Sequence, residues 1–520
     1  MSSRNRVLLL IVALAGLALS NLPKGGGATP GQIPGKTNKV RAGQLLAGVA
    51  RVEITSKKAL PVNDPLYVKA LVVKNDSATA AVVTLDAVAV GEIGHIGNDY
   101  LGKVRARLQK ELSIAPECVM VNASHCHGVV CPDVDDRTVE AVRQAARNMV
   151  PVRVGVGVGH EDRVSENRRL KLKSGKEVDV RHAYSMPADE EVAEVGPIDP
   201  EVGVLRLDRE DGRTLAVVYN FACHPIMGVP NGGNTADMTG FASRVIENNL
   251  GEGTIALFVQ GCGGDINPVG YKDIHRPRDA EPLGNLLGLS VLRAVRKVRC
   301  VDGGTLRVLN ESLELPRADL TGRIDSLLKE QGRLLQSLQG TTLNLRSFLE
   351  LAGKNAASAE FPSYYSHRYL HEKKAGRADL SRLDRENRDN VKAYVQNIRT
   401  MEELTRLQTN LALLRKHQER NRLAGMKPLK VEMVGLRIGD FVLITFPGEL
   451  TVEIGLNIKK SAPGKHTFVA GYTNGYIYYT PTARQLQNVG GAQEDSDCLL
   501  APEWEKLFLG RVSQMLKKLQ

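Results

Sequence analysis

Four short segments carry side chains able to hold a metal or move a proton: His125-Cys126-His127, Cys223-His224-Pro225, Pro447-Gly448-Glu449 and the tyrosine-rich stretch at residues 474–479. Imidazole, carboxylate and phenol oxygen together form a hard-to-borderline donor set that suits Zn²⁺. Residues two apart on a strand share a face, so His125 and His127 can serve one site if the strand runs that far. One imidazole would bind metal while the other handles the proton of a bound water or substrate. Each segment also has a plainer reading. A lone His224 before Pro225 is commonly a satisfied structural residue at a strand end. Glu449 is expected to open a helix over residues 450–456, where a carboxylate favours the helix dipole. Tyr476, Tyr478 and Tyr479 read as packing, and Asp133, Asp135 and Asp136 as a solvated turn or an imidazole partner. What sets the group apart is that every segment follows a predicted strand, where open α/β sheets gather their ligands.

Those strands belong to a region of alternating pattern. Residues 71–85 read as a hairpin turning at Lys74-Asn75-Asp76, and 202–207 with 214–221 as a strand pair joined by Asp211-Gly212. Strands are predicted at 118–122 and 254–260, and helices at 98–112, 136–149 and 282–299. The fold class is therefore α/β, a layered mixed-sheet domain. Between residues 319 and 422 the composition shifts to Leu, Arg, Lys, Glu and Gln, with Leu327, Leu334 and Leu338 at helical spacing. This stretch reads as an inserted α-helical hairpin or bundle, interrupted at Phe361-Pro362-Ser363 and Gly376. A strand pattern returns at 431–445 and 467–471. The resulting division is 1–20 leader, 21–44 flexible linker, 45–318 and 423–520 the two parts of the α/β domain, and 319–422 the insertion.

Composition removes some classes of function. The net charge is +11, but basic and acidic residues are interspersed and only 4% of residues are aromatic, which argues against a nucleic-acid groove. Arg4 and Arg6, an apolar run at 7–19 and Ala18-Leu19-Ser20 make an export signal. The run is shorter than the roughly 20 residues of a membrane span, so an uncleaved anchor is the lesser alternative. Seven cysteines without a C-x-x-C spacing read as buried thiols, with room for one disulfide.

The segments also resemble a known family. Ala123-Ser124-His125-Cys126-His127-Gly128 is similar to the Thr-His-Thr-His-Ser-Gly segment of neutral ceramidases. Asn167-Arg168 resembles their Asn-Arg-Ser motif, residues 220–225 their second histidine segment, and Gly264-Asp265-Ile266-Asn267-Pro268 their Gly-Asp-Val-Ser-Pro. Phe446-Pro447-Gly448-Glu449 and residues 474–479 match the glutamate and tyrosine segments, all in family order. The resemblance implies a zinc site of His125, His224, Glu449 and Tyr479. It makes His127 the acid/base neighbour and Arg168 a polar contact for substrate. Asn267 stands where the family has serine, and Ala492-Gln493 where it has a second tyrosine. The chain ends soon after Tyr479, so the resemblance covers the catalytic part without the family's C-terminal β-sandwich.

The expectation is thus an exported zinc-dependent hydrolase that cleaves an amide bond with metal-activated water. Its substrate would be a small molecule or lipid, met in part through peripheral membrane contact. Asn267 would donate a hydrogen bond, lacking the hydroxyl of a nucleophile. Two alternatives stay open: a zinc hydrolase of esters or sugar amides, and a non-catalytic exported binding protein that keeps the metal pocket. The insertion would be a surface for self-association or a partner.

Overall fold

The computed structural model describes residues 44–180, 186–271, 273–360, 362, 366–488 and 490–520. The expected leader and all of the linker before Gln44 lie outside them. Alternation of buried side chains builds the centre. In strand Tyr67–Lys74, Val68, Ala70 and Val72 pack on one side, against helices Tyr100–Leu112 and Val134–Arg147. Leu71 and Val73 point the other way, into a layer shared with Leu436, Leu443 and Phe468 of a second sheet. Helices Asp237–Leu250 and Ala280–Val295 cover the other half of the first sheet. Helix Trp504–Leu519 covers the second.

The first sheet has eight strands. Its order is Ile255–Gln260, Thr214–Phe221, Glu201–Arg209, Val150–His160, Leu46–Glu53, Tyr67–Lys74, Thr79–Leu85 and Val119–Ala123. Most pairs are antiparallel, but both edge strands pair parallel to their neighbours, with Leu85 opposite Ala123 and Phe221 opposite Gln260. The second sheet orders Leu306–Leu315, Leu429–Ile438, Phe441–Thr445 and Thr467–Ala470. The predicted α/β layering is the observed one.

Among the strands that the pattern reading did not include, two have a reason visible in the structure. Val150–His160 carries Gly155, Gly157 and Gly159, which look like turn residues. A Cβ at these positions would sit 2.4 and 2.6 Å from Val298 and 3.0 Å from Ala294, so the strand needs glycine to let the end of the Ala280–Val295 helix close over it. Leu306–Leu315 was hidden because its partner lies far along the chain. It pairs over its whole length with Leu429–Ile438, Leu315 opposite Leu429. The connection of this hairpin is the helical insertion: Thr321–Gln336, Leu345–Ala357, His367–Lys374 and Asp379–Leu423, the last 45 residues long. All seven cysteines are free thiols.

The two sheets approach closely at Gly203, where a Cβ would lie 2.3 Å from the Phe468 ring. Gly203→Ala is therefore expected to cost about 1–3 kcal/mol through overpacking. Urea unfolding measures it, and an unchanged midpoint would contradict this account of the sheet packing.

Candidate metal centre

Strands Val119–Ala123 and Ile255–Gln260 form opposite edges of the large sheet, yet their carboxyl ends meet. Gln260 N–H donates to Asn122 Oδ1 at 2.9 Å. The Gln260 side chain, fully buried, donates to Ser124 O at 3.1 Å and Cys223 O at 2.7 Å. Those carbonyls belong to the residues just before His125 and His224, so one carboxamide staples both histidine loops together. The Asn122 side chain donates to Gly471 O at 2.8 Å, bringing in the loop after Thr467–Ala470.

Two local expectations are corrected here. The strand before His125 stops at Ala123, and His125 takes a left-handed φ of 68°. His125 and His127 consequently share no strand face: His125 is buried, while His127 is exposed with its ring edge-on at 5.6 Å. Glu449 does not open a helix. It sits in the short strand Glu449–Leu450, directly opposite Tyr479 in a parallel ladder, and the helix begins at Val452. Backbone pairing, absent from a helical reading, is what sets Glu449 beside Tyr479.

His125, His224 and Glu449 converge in the interior, their potential ligand atoms all within 4.8 Å of one another. His125 Nδ1 lies 2.6 Å from Val88 O and His224 Nδ1 3.0 Å from Ile266 O. A carbonyl only accepts, so both imidazoles carry their proton on Nδ1 and turn the Nε2 lone pair inward. His125 Nε2 is 3.6 Å from Glu449 Oε1, and His224 Nε2 is 3.0 Å from Glu449 Oε2. The carboxylate also accepts from Tyr472 OH at 3.1 Å and from Tyr476 OH. Burial pushes His125 down to about 4, so it is neutral at ordinary pH. Burial would raise Glu449, but its carboxyl stands well below the usual carboxylate range, with the Tyr476 hydroxyl donating to it. Lone pairs of neutral imidazoles facing an ionised carboxylate at these distances suit a shared cation, and this group could bind a metal.

Arg168 organises the adjoining wall. It is 1% exposed, and its guanidinium donates to Glu494 Oε1 at 2.7 Å, Asn267 Oδ1 at 3.0 Å, Gly264 O at 2.6 Å and Tyr479 OH at 3.2 Å. Burial opposes its charge, but Glu494 and Tyr479 outweigh that and hold it above its ordinary value. The Tyr479 ring lies nearly parallel to His224 at 6.4 Å. Because Asn267 Oδ1 faces the guanidinium, its NH₂ end points away from Arg168. Arg168 meets the centre through Asn267 and Tyr479, four of its five N–H donors being engaged by protein oxygens.

The remaining candidates lie apart. Asp133 binds Arg137 at the start of a helix, and Asp136 pairs with Arg107. No cysteine belongs to the His125–His224–Glu449 group. His127 and Pro225 border a surface pocket of about 360 Å³ that also takes in Leu60, Asp237, Tyr271 and Arg278. Sequence reasoning passed over Gln260, Tyr472 and Glu494. Tyr472 follows a strand end like the other site segments, so the same rule could have found it. Gln260 and Glu494 act through contacts between distant segments and left no local sign.

Replacing Gln260 with Leu strands two buried carbonyls, which costs about 1–3 kcal/mol for each unmet group. Chemical unfolding should show a loss of at least about 2 kcal/mol. A Gln260→Leu protein as stable as the parent would mean that the histidine loops do not depend on the staple.

No family model and no curated protein matches this chain. Solved structures do. The crystal structure of neutral ceramidase from Pseudomonas aeruginosa superposes with a TM-score of 0.57 at 16% identity, over 92% of this chain and 75% of that one. A ceramidase complexed with C2 gives the same TM-score and identity, over 91% and 75%. At that identity the likeness is one of architecture, and this chain has the neutral-ceramidase fold, with a helical insertion in one hairpin of its second sheet.

Proposed function

We propose that this chain is a zinc-dependent hydrolase that cleaves an amide, N-acyl, bond with water. The observation that carries the reading is the buried His125–His224–Glu449 group with both Nδ1 atoms anchored on carbonyls. Zinc–ligand distances of about 2.0–2.2 Å set tetrahedral ligands about 3.3 Å apart. The imidazole–carboxylate separations of 3.0 and 3.6 Å lie on either side of that value. Tyr479 would be the fourth protein ligand, its hydroxyl steered by Arg168 at 3.2 Å, with water taking a fifth place on the ion. Zinc held there would lower the pKa of a bound water to about 7 and polarise the scissile carbonyl.

The chain's own groups have distinct tasks in this reading. Glu449 and the two imidazoles hold the ion. His127, on the solvent side of His125 and bordering the surface pocket, hands a proton to the leaving amine, which an imidazole does well near neutral pH. The Asn267 NH₂, aimed by Arg168, donates to the oxygen that gains charge in the transition state. Asn267 cannot be acylated, so the attacking oxygen is that of water. An N-acyl lipid is the substrate class that the fold neighbours favour, one of which is a ceramidase complexed with C2. Export rests on the leader at residues 1–20.

Two measurements test the reading. Activity on N-acyl amide probes should vanish with a strong chelator and return with zinc. His127→Ala should keep its zinc and lose about 10²–10⁴ in kcat. Full turnover in His127→Ala removes it as the acid, and chelator-resistant turnover removes the metal mechanism.

A further inference from the structure

Tyr479 is held at both ends by the same stretch of chain. Its backbone N–H donates to Asp497 O at 3.1 Å. Its hydroxyl is met by Arg168, whose Nε is fixed in turn by Glu494 at 2.7 Å. Tyr478 pairs with Cys498 in an antiparallel bridge beside it. The stretch itself is unusual in chemistry: Glu494, Asp495 and Ser496 are wholly buried, with Gln493 and Asp497 nearly so. A run of carboxylates in the interior stands only if each is paired.

Arg168 and Arg169 pair the carboxylates of Glu494 and Asp495, while the insertion takes Asp497 and several backbone carbonyls of the stretch. On helix Asp379–Leu423, residues 406, 410, 417 and 421 recur at helical spacing and so form one stripe. Asn410, His417 and Asn421 on it are no more than 1% exposed. His417 Nε2 donates to Asp497 Oδ1 at 2.6 Å, and Asn421 Nδ2 donates to Leu499 O at 2.9 Å. Arg406 donates to Gly491 O at 2.9 Å, and Arg323, from helix Thr321–Gln336, donates to Asp495 O at 2.8 Å. Arg420 reaches the Tyr478 hydroxyl. The neighbouring stripe, Leu407, Leu411 and Leu414, packs on Leu327 and Leu334. The outer part of the helix differs, its first buried residue being Thr400. The outer half meets helices Leu345–Ala357 and His367–Lys374 instead, through Phe348 stacked on Tyr394 and Tyr369 bonded to Asp384.

We infer that the helical insertion is a clamp on the Tyr479 segment, with His417 and Glu494 as positioning residues for the centre that Tyr479 borders. The inference rests on the metal reading above for its consequence, but the clamp has a signature of its own. In the metal-free full chain, His417→Ala should speed amide hydrogen exchange at residues 476–482 and 493–500, with the large sheet unchanged. With zinc, its affinity should fall about 10-fold to 100-fold, the usual effect of losing an outer partner of a metal site. His417→Gln, whose amide can still donate to Asp497, should recover most of both. Leu383→Ala, at an exposed position on the outer half, should change neither. If His417→Ala does not fold, Asp497→Asn weakens the same bond without emptying space and is read in the same way. Parental exchange in a folded His417→Ala overturns the clamp. So does faster exchange with unchanged zinc affinity, because the segment would then not bear on the centre. A parent protein that takes no zinc defeats the metal reading instead, while exchange still decides the clamp.

Discussion

A carboxylate at 1% exposure, Glu449, is the constraint around which the rest of the structure is arranged. Removing an ion of that size from water costs several kcal/mol even after the protein relaxes. Two phenols donate to the carboxylate, while two imidazole Nε2 atoms face it. Both imidazoles spend their proton on backbone carbonyls, so neither has a second one to offer. Phenols soften the cost but bring no positive charge, and a divalent cation would supply it.

Bringing those groups together is a problem of topology. His125, His224 and Glu449 belong to segments that are distant in sequence, and each leaves a different strand. The large sheet solves this by letting its two edge strands meet at their carboxyl ends, where Asn122 and Gln260 trade hydrogen bonds with each other and with the loops. Buried amides do this work well because each carries both donors and an acceptor, so one side chain can satisfy several stranded backbone groups. Arg168 plays the matching part on the other wall, joining Glu494, Asn267, Gly264 and Tyr479.

Much of this was legible in the residues. The hairpin at Lys74-Asn75-Asp76, the strand pair around Asp211-Gly212 and the long helical stretch follow from turn chemistry and apolar period alone. The convergence of His125, His224 and Glu449 could be anticipated from strand ends and from the likeness to ceramidase motifs. What failed was local geometry set by distant contacts. Glu449 reads as a helix start until Tyr479 pairs with it. His125 and His127 read as one face until the backbone of His125 turns left-handed. The strand carrying Gly155, Gly157 and Gly159 was not read at all, its glycines making sense only against the helix end that crosses them. Glu494 went unread, because only the tertiary fold supplies Arg168.

The central claim is that the buried triad is a metal site. Its most direct test is the metal content of the purified full chain beside Glu449→Gln, which keeps the shape of the side chain and removes its charge. The account predicts close to one zinc per parental chain, and none in a Glu449→Gln protein that stays folded. A folded parent that holds no metal even when offered zinc would contradict it.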